Sequence, residues 1–360
     1  MPQNRDVLVN VPIEPIPYRY SCQWDTWFKT FFISQWVNKL NNTLLTICPA
    51  PLNNEIHHGR FLDSIGTNYY KSAQLQSIMQ NIYDGKIPKN SIFFFHDLWF
   101  PGIEQIAYTS DLLGLNFRIT GCLHAGAYDP NDFLYQNNLG RWAVHFEHAL
   151  LSLADCVFVA TEYHKQLILK SRSCDPNKIK VTGFPIYFDE INKIQHKEKI
   201  KKENIIIFPN RLDPEKNPEI FIELQHKFSK DKKFASWKWL KTVEEYTTKE
   251  NYYKLLLKAK IAISFSDQET WGIAMQECLA AGCMIFVPDK LSYVEMYDDE
   301  LRYSSIYNLE NKLKKFISKK DLKFSLDRSK ESLEMITIQG TEAINNIFYW
   351  LNRIYKETTY

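Results

Sequence analysis

Residues 266–282 read SDQETWGIAMQECLAAG and lie between two short apolar runs, at 261–265 and 284–287. Short apolar runs bounded by turn residues predict strands that are buried on both faces. Between them, residues 273–281 have the length and composition of a helix that begins just after the Trp-Gly turn. Strand, loop, helix and second strand together form the repeating unit of a parallel α/β sheet.

The same alternation extends outward in both directions. A strand at 205–208 and a helix at 218–228 belong to the same series as this unit. An earlier series predicts strands at 7–11, 44–48, 91–95, 117–123 and 156–160, and helices at 24–40, 103–113 and 141–154. The lysine-rich stretch 189–204 contains no aromatic residue and predicts an exposed connection between the two series or an insertion at a domain boundary.

The sequence therefore predicts an α/β protein with two Rossmann-like, doubly wound domains that face a central cleft. We expect an N-terminal domain over 1–188, a C-terminal domain over 203–335, and a C-terminal helix over 341–360 that packs back on the first domain. A chain of 360 residues, 45% of them apolar, is long enough for two cores. Ligands of such sheets bind where the carboxyl ends of the strands meet.

Composition narrows the classes of function. The formal net charge of +2 gives no bulk attraction to nucleic acid, so a polyanionic partner would need a local basic patch. The sequence contains no apolar window of membrane-spanning length and no signal-peptide core. Seven cysteines without a CxxC pair are typical of a reducing compartment. We therefore expect a cytoplasmic protein without a membrane partner.

Two carboxylates and two cations stand at neighbouring predicted strand ends. Glu269 lies in the loop before the helix 273–281 and Glu277 lies within it, too far apart for the pair of a retaining glycosidase. The loop PNRLDPEKNP supplies Arg211, a planar fork for phosphate oxygens, and Lys216, a flexible point charge. Individually these residues also fit a helix cap, a surface glutamate and solvated charges. Their combination predicts a nucleotide-diphosphate site.

These motifs resemble those of the GT-B-fold retaining glycosyltransferases of the family-four type. The resemblance rests on an E-x7-E pair (Glu269 and Glu277), an R-x4-K pair (Arg211 and Lys216) and the small residues 280–282. It implies a nucleotide-sugar donor, UDP-linked, as substrate, with no metal and no cofactor. The implied donor contacts are Arg211 and Lys216 to the diphosphate, Glu269 to sugar hydroxyls, Glu277 to the ribose, and the backbone of Trp271, Gly272 and Ile273 to the sugar.

In the first domain, two strand-end loops carry candidate catalytic residues. The resemblance places His124 opposite the donor sugar, and Asp97 or Asp129 could accept the proton of the acceptor hydroxyl. The donor phosphate is the alternative proton acceptor. For His124 and His96 the competing interpretation is a structural hydrogen bond within a loop. We expect no metal site, because His145 and His148 fit better on a helix that packs an aromatic stripe.

The turn after the first strand departs from the family pattern. Residues 11–24, VPIEPIPYRYSCQW, replace the usual Gly-Gly loop. Together with FFHDLWFPGIE and LHAGAYDPNDF, this turn is similar to loops of bacteriophage enzymes that glycosylate hydroxymethylated pyrimidines in DNA. Tyr18, Tyr20 and Trp24 offer stacking faces and Arg19 a phosphate-binding fork, as an extruded base would require. The acceptor candidates are Tyr18, Arg19, Tyr20, Gln23, His96 and Trp99.

Other interpretations of this turn and of the function remain. Arg19 could pair with Glu14, and Trp24 and Trp27 could be core residues. The acceptor implied by the resemblance is DNA, in the host cytoplasm if the chain is phage-encoded. A glycosyltransferase acting on a surface glycan or on tRNA would share the donor motifs, and a non-catalytic nucleotide-sugar binding module is a further alternative.

Overall fold

The computed structural model describes residues 6–16, 19–50, 64–245, 248–318 and 322–358. Contacts divide the chain into two units. The first runs to Phe184 and resumes at Glu342, and the second comprises Pro185–Thr341. Each unit contains one sheet, and every strand pairing among the described residues is parallel.

The first unit is a six-stranded sheet covered by helices. Its strands are β1 (Val7–Val11), β2 (Thr43–Thr46), β3 (Ile92–Phe95), β4 (Arg118–Cys122), β5 (Cys156–Val159) and β6 (Ile179–Val181). Its helices are α1 (Tyr20–Phe32), α2 (Ser64–Tyr83), α3 (Ile103–Leu113), α4 (Phe133–Gln136), α5 (Gly140–Leu153) and α6 (Glu162–Ser171). The strand order is β2-β1-β3-β4-β5-β6. Strands β1, β3 and β5 are buried along their whole length, as a sheet covered on both faces requires.

The second unit is a five-stranded sheet of the same kind. Its strands are β7 (Ile205–Phe208), β8 (Lys238–Lys241), β9 (Ile261–Ile263), β10 (Met284–Pro288) and β11 (Arg302–Tyr303). Its helices are α7 (Asp189–Glu198), α8 (Pro218–Ser229), α9 (Thr242–Glu245), α10 (Lys249–Lys258), α11 (Ile273–Ala280), α12 (Tyr293–Met296), α13 (Ile306–Ile317) and the first part of α14 (Leu322–Thr358). The strand order is β11-β10-β9-β7-β8, so the loops after β7 and β9 leave adjacent strands.

Two sequence-based expectations are corrected. The stretch 189–204 is mostly exposed, as predicted, but its residues Asp189–Glu198 form helix α7, with Ile191 buried. Acidic residues in its first turn and basic residues in its last turn complement the helix dipole, which explains why so charged a segment is helical. The helix predicted at 24–40 is α1 followed by a π-helical segment, Ile33–Lys39, whose Trp36 is buried and donates to the Thr43 carbonyl.

Helix α14 contributes to both units. Within the second unit, the backbone N–H of Asp298 donates to Ser332 Oγ at 3.5 Å. Beyond residue 341 the helix lies against the first unit, where Phe348 contacts Phe31 with ring centroids 5.5 Å apart. Tyr355 contacts Trp36 in the same way, at 5.1 Å. One apolar stripe at helical spacing accounts for this second set of contacts.

A buried ion pair holds two strand-end loops of the first unit. Glu147 on α5 accepts from Arg172 Nε at 2.9 Å through one carboxylate oxygen. Its other oxygen accepts from the backbone N–H of Ala127 at 2.6 Å and from Trp99 Nε1 at 3.0 Å. Side-chain exposures of 2% for Glu147 and 7% for Arg172 leave water little part in solvating the pair. The carboxylate therefore fixes the loops after β3 and β4 together.

Removing the cation of this pair should be costly. We expect Arg172→Met to lower the free energy of unfolding by about 3–5 kcal/mol, because the Glu147 charge stays buried without compensation. The double variant Glu147→Gln/Arg172→Met should recover part of the loss. Arg353→Met, at an exposed pair, is the control and should change little. Equal urea midpoints for Arg172→Met and the control would contradict this account.

Two histidines of the first unit are completely buried and neutral. His96 Nε2 lies 2.8 Å from Asn10 Oδ1, and His164 Nε2 lies 2.6 Å from the Tyr128 hydroxyl. Burial lowers the pKa of each to about 3. Unfolding exposes both rings to water, where their ordinary pKa is about 6.5.

This difference makes the first unit acid-sensitive. Between pH 6.5 and 3 the unfolded chain binds protons that the folded chain does not, so the free energy of unfolding falls as pH falls. The slope should be at most about 1.4 kcal/mol per pH unit for each histidine. Urea unfolding at pH 7.5 and 5.5 should show a smaller pH effect in His164→Asn than in the unaltered protein. The same pH effect in both proteins would refute the assignment for His164.

Candidate functional site

The loop after β7 carries the two predicted cations. Lys216 is 4% exposed, donates to the backbone carbonyl of Gln268, and has its Nζ 3.5 Å from Glu269 Oε2. Arg211 is more exposed and has Nη1 2.7 Å from Asp213 Oδ2. The loop thus directs a buried ammonium at the loop after β9 and keeps a guanidinium partly accessible.

Glu269 is held as an ionised carboxylate. Its Oε1 accepts from the backbone N–H groups of Gly272 at 2.9 Å and Thr270 at 3.3 Å. Burial would raise the pKa of Glu269, but the Lys216 ammonium and the N–H groups of Gly272 and Trp271 outweigh burial and lower it. A carboxylate anchored in this way is a fixed negative charge and hydrogen-bond acceptor rather than a titrating acid.

Gly272 allows the turn that leads into α11. Its φ of +63° lies in the left-handed region, and a Cβ at this position would stand 3.0 Å from the Tyr293 ring. The Trp271 side chain is 3% exposed, so this residue can contribute to a site mainly through its backbone. Helix α11 begins at Ile273 without a side-chain cap, which leaves its N-terminal N–H groups as an anion-binding feature.

Backbone and side-chain bonds join the two loops. The N–H of Asp267 donates to the Glu215 carbonyl at 2.8 Å, and Asn217 Nδ2 donates to the Phe265 carbonyl at 2.9 Å. Because β7 and β9 are adjacent, these bonds hold the loops side by side at the carboxyl edge of the second sheet. The structure therefore brings together the predicted donor residues Lys216, Glu269 and Gly272. Arg211 lies on the same loop as Lys216, and Ile273 begins α11.

Glu277 is buried rather than on the helix surface. It is 5% exposed, and its Oε1 accepts from Lys249 Nζ at 2.7 Å and from the Tyr253 hydroxyl at 3.0 Å. Neither partner was anticipated from the sequence. Lys249 and Tyr253 are four residues apart, which puts both on one face of α10, but this spacing does not identify Glu277 as their partner.

His124 follows β4 and is enclosed by aromatic rings. Its centroid lies 4.9 Å from that of Trp24, 4.8 Å from Phe184 and 5.8 Å from Tyr20. Burial lowers the pKa of His124, which makes the ring neutral at pH 7. Its Nε2 lies 2.8 Å from the His96 carbonyl, and a carbonyl only accepts, so Nε2 carries the proton.

Asp97 follows β3 and pairs with a lysine that sequence reasoning missed. Its Oδ2 lies 3.1 Å from Lys71 Nζ, which also donates to the Trp99 carbonyl at 2.7 Å. Lys71 lies on α2, a helix that the sequence pattern did not predict. The Asp97 carboxylate keeps 25% of its side chain exposed. Trp99 is half-buried against Phe146, at 4.8 Å between ring centroids.

Two first-unit candidates are buried. The His96 side chain is 0% exposed and hydrogen-bonded to Asn10, so it cannot contact an acceptor substrate. Asp129 is 4% exposed, and its Oδ1 accepts from the Asn131 N–H at 2.9 Å. Both arrangements are those of structural hydrogen bonds rather than of a side chain that faces a substrate.

The turn after β1 leads into α1 with its acceptor candidates at the helix start. Arg19 is the N-cap residue of α1, and Arg19, Tyr20 and Gln23 are half-buried. Tyr18 lies outside the described residues. Trp24 is 0% exposed and packs on Phe28, so it is a core residue and does not offer a stacking face.

Among the residues that the structure describes, no group of three or more His, Cys, Asp or Glu side chains could hold a metal ion. His145 and His148 both lie on α5. None of the described helices combines the length and apolar character needed to cross a membrane.

No protein-family model matches the chain. A curated relative is tRNA-queuosine alpha-mannosyltransferase of Drosophila melanogaster, 29% identical over 167 residues, which are 39% of this chain and 44% of that protein. The match therefore spans less than half of the relative's length.

Solved structures match over nearly the whole chain. Sucrose-phosphate synthase from Thermosynechococcus elongatus has a TM-score of 0.70 at 10% identity, over 98% of this chain and 100% of that one. HepE from Anabaena, solved with UDP and glucose, has a TM-score of 0.61 at 10% identity, over 97% and 100%. With its two parallel, Rossmann-like sheets, the chain has the GT-B fold of these structures.

Proposed function

We propose that the protein transfers a sugar from a UDP-linked donor to an acceptor hydroxyl, with retention at the anomeric carbon. The observation that carries the proposal is the junction of two strand-end loops at Lys216 and Glu269, where cations, an ionised carboxylate and a helix N-terminus meet. The complex of HepE with UDP and glucose supports the choice of donor.

The charged groups at this junction would stabilise the two charges that develop during sugar transfer. Negative charge grows on the leaving diphosphate, which Arg211, Lys216 and the N-terminus of α11 would stabilise. Positive, oxocarbenium-like charge grows on the sugar, near which Glu269 supplies a fixed negative charge. Because Glu269 is anchored by Gly272 and faces Lys216, it acts by electrostatics and hydroxyl contacts rather than as a nucleophile.

First-unit residues complete the reaction in this proposal. His124, neutral and fixed by its bond to a backbone carbonyl, would contact the donor sugar. Of the two carboxylates considered as base, Asp97 is the more exposed, and Lys71 orients it. Retention follows when the acceptor hydroxyl attacks the anomeric carbon on the face from which the diphosphate departs. On that face the donor phosphate is the alternative to Asp97 as the group that takes the proton.

For the acceptor we propose a hydroxyl on a modified base of a nucleic acid, first a hydroxymethylated pyrimidine in DNA. Arg19 and Tyr20 at the start of α1 provide a phosphate contact and a ring for such a base. A modified nucleoside in tRNA is the second candidate, favoured by the relative that is named as a tRNA-queuosine mannosyltransferase.

Donor use tests the first part of this proposal. We expect the purified protein to release UDP from at least one UDP-sugar, and Glu269→Ala to abolish release. Arg211→Ala should weaken UDP binding about 10- to 100-fold and reduce its salt dependence, because a charged hydrogen bond to the diphosphate is lost. Lys232→Ala, at an exposed position, is the control. If no nucleotide sugar is bound or cleaved and Glu269→Ala behaves identically, the transferase assignment fails.

Acceptor use tests the second part. Labelled UDP-sugars are incubated with hydroxymethylated DNA, unmodified DNA, tRNA and a surface glycan. We expect label in hydroxymethylated DNA and none in unmodified DNA. Arg19→Ala and Tyr20→Ala should reduce transfer at least about 10-fold while leaving UDP-sugar hydrolysis nearly unchanged, since their role is in acceptor binding. Transfer to tRNA alone would select the second candidate, and transfer to the glycan alone would refute a nucleic-acid acceptor.

A further inference from the structure

Two free cysteines contact each other where helix α11 ends. Gly282 follows the helix with a φ of +79°, in the left-handed region, and the N–H of Cys283 donates to the Cys278 carbonyl at 3.0 Å. This hydrogen bond is that of a Schellman turn, in which the two residues that it joins also pack their side chains together. Here both side chains are thiols, and they are hydrogen-bonded to each other.

The backbone of this turn places the pair within reach of a disulfide. With the Cys283 nitrogen 3.0 Å from the Cys278 carbonyl oxygen, standard bond lengths keep the two Cα atoms within about 7 Å of each other. A disulfide spans Cα separations up to about that value, provided that the side chains point towards each other. Thiols that are hydrogen-bonded to each other meet this condition. A bridge therefore requires only a local contraction, to an S–S bond of about 2.05 Å.

Lys202 places a positive charge beside the pair. Its Nζ lies 3.7 Å from Cys283 Sγ and donates to the carbonyls of Ala259 at 2.6 Å and Ala281 at 2.7 Å. As a thiol, Cys283 donates to the same Ala259 carbonyl at 3.3 Å. When Cys283 ionises, the ammonium remains beside the sulfur and compensates its negative charge.

This environment distinguishes Cys283 from two other buried thiols. Burial raises the pKa of Cys122 and Cys156, to about 12 for Cys156. Burial acts on Cys283 as well, but the hydrogen bond from Cys278 and the Lys202 ammonium outweigh it and lower the pKa of Cys283. Burial and the bond to Cys283 raise the pKa of Cys278. Cys283 is thus the thiol that ionises, and Cys278 keeps its proton.

The pair lies directly beneath the surface of the second unit. Cys278 is 0% and Cys283 2% exposed, but Gly282 beside them is exposed. The Lys202 side chain covers this glycine, with its Cε 3.5 Å from where a Cβ would stand. Because a lysine stem is flexible, its displacement admits an oxidant the size of water.

We propose that Cys278 and Cys283 are a redox-active thiol pair that hydrogen peroxide converts to a disulfide and that small thiols reduce again. The Cys283 thiolate attacks one peroxide oxygen, the O–O bond breaks, and hydroxide leaves and takes up the proton that Cys283 released. The resulting sulfenic acid is attacked by the Cys278 sulfur, and the departing hydroxide takes the Cys278 proton. One peroxide thus accepts two electrons from the two thiols and yields a disulfide and two waters.

The bridge acts on the proposed donor site through α11. This helix is only eight residues long, Ile273–Ala280, and its N-terminus belongs to the site. Cys278 directly follows Glu277, so a contraction at Cys278 is felt within one residue of that carboxylate. Because packed interiors transmit strain, oxidation shifts the helix rather than the turn alone. Oxidation therefore weakens UDP binding, a consequence that rests on the proposed donor chemistry.

Mass spectrometry of the intact fold tests the pair. We expect peroxide to lower the mass of the peptide that contains both cysteines by two hydrogen atoms, and dithiothreitol to restore it. Cys278→Ser and Cys283→Ser should each prevent this change. Cys174→Ser, at a half-buried thiol of the first unit, is the control and should leave it intact. Two thiols that survive excess peroxide in the unaltered protein would overturn the proposal.

The rate of oxidation tests the role of Lys202. Lys202→Met should slow disulfide formation at least about 10-fold, because each pKa unit gained by the Cys283 thiol lowers its thiolate fraction tenfold. Lys202→Arg should retain most of the rate. Lys201→Met, at the exposed neighbouring position, is the matched control. Equal rates in Lys202→Met and the control would refute thiolate stabilisation by Lys202.

Calorimetry with UDP tests the consequence for the donor site. Oxidation should weaken UDP binding at least about threefold, and dithiothreitol should restore it. Cys283→Ser treated with peroxide should bind UDP as before treatment. A disulfide that leaves the affinity for UDP unchanged would overturn the action on the donor site. Reduced protein that binds no UDP would instead refute the proposed donor, while the mass change still decides whether the thiol pair is redox-active.

Discussion

The arrangement of the loops after β7 and β9 in the second unit depends on the contacts that stabilise the buried charge of Lys216. A lysine that is 4% exposed is stable only if anionic and carbonyl groups replace the water it has lost, and here the loop after β9 supplies both. That requirement draws two loops from adjacent strands against each other and orients Glu269. Glu269 in turn anchors the N–H of Gly272 and so sets the start of α11. The burial of Lys216 thus determines both the charges at the site and the conformation of the two loops.

The first unit also contains a buried ion pair, but there the central buried charge is an anion. Glu147 is a buried anion that draws Arg172, Trp99 Nε1 and the N–H of Ala127 to itself. Two strand-end loops, which carry Asp97 and His124, are fixed as a consequence. Both units therefore hold their loops with a largely buried ion pair, which is almost completely enclosed in the first unit and leaves Glu269 19% exposed in the second. Such pairs are expensive to break, and groups held by them reorganise little when a ligand's charge develops.

Much of this architecture could be predicted from the sequence. Buried strands of parallel sheets are short apolar runs, and runs of this kind at β3, β5 and β7 identified the fold. The placement of Glu269 in a loop and of Glu277 on the helix that follows it could also be predicted, because both lie in one short stretch of sequence. Partners that lie far apart in sequence could not. Lys249 precedes Glu277 by 28 residues on another helix, and nothing local links the two.

Other sequence-based predictions were wrong because of features within a single segment. The sequence pattern does not predict helix α7, because its charged residues far outnumber its one buried residue, Ile191. Trp24 was offered as a stacking ring because an aromatic residue in a turn has the same appearance whether it faces solvent or the core. His96 was a candidate for the same reason, and only its bond to Asn10 reveals its structural role. Side-chain direction at a strand end is decided by tertiary packing, which a linear pattern does not contain.

The position of UDP in a crystal structure of the complex is the most direct test of the proposed donor site. The diphosphate should lie between Arg211, Lys216 and the N-terminus of α11, with the ribose hydroxyls near Glu277. A complex with UDP elsewhere, or with the diphosphate in contact with neither cation, would contradict it.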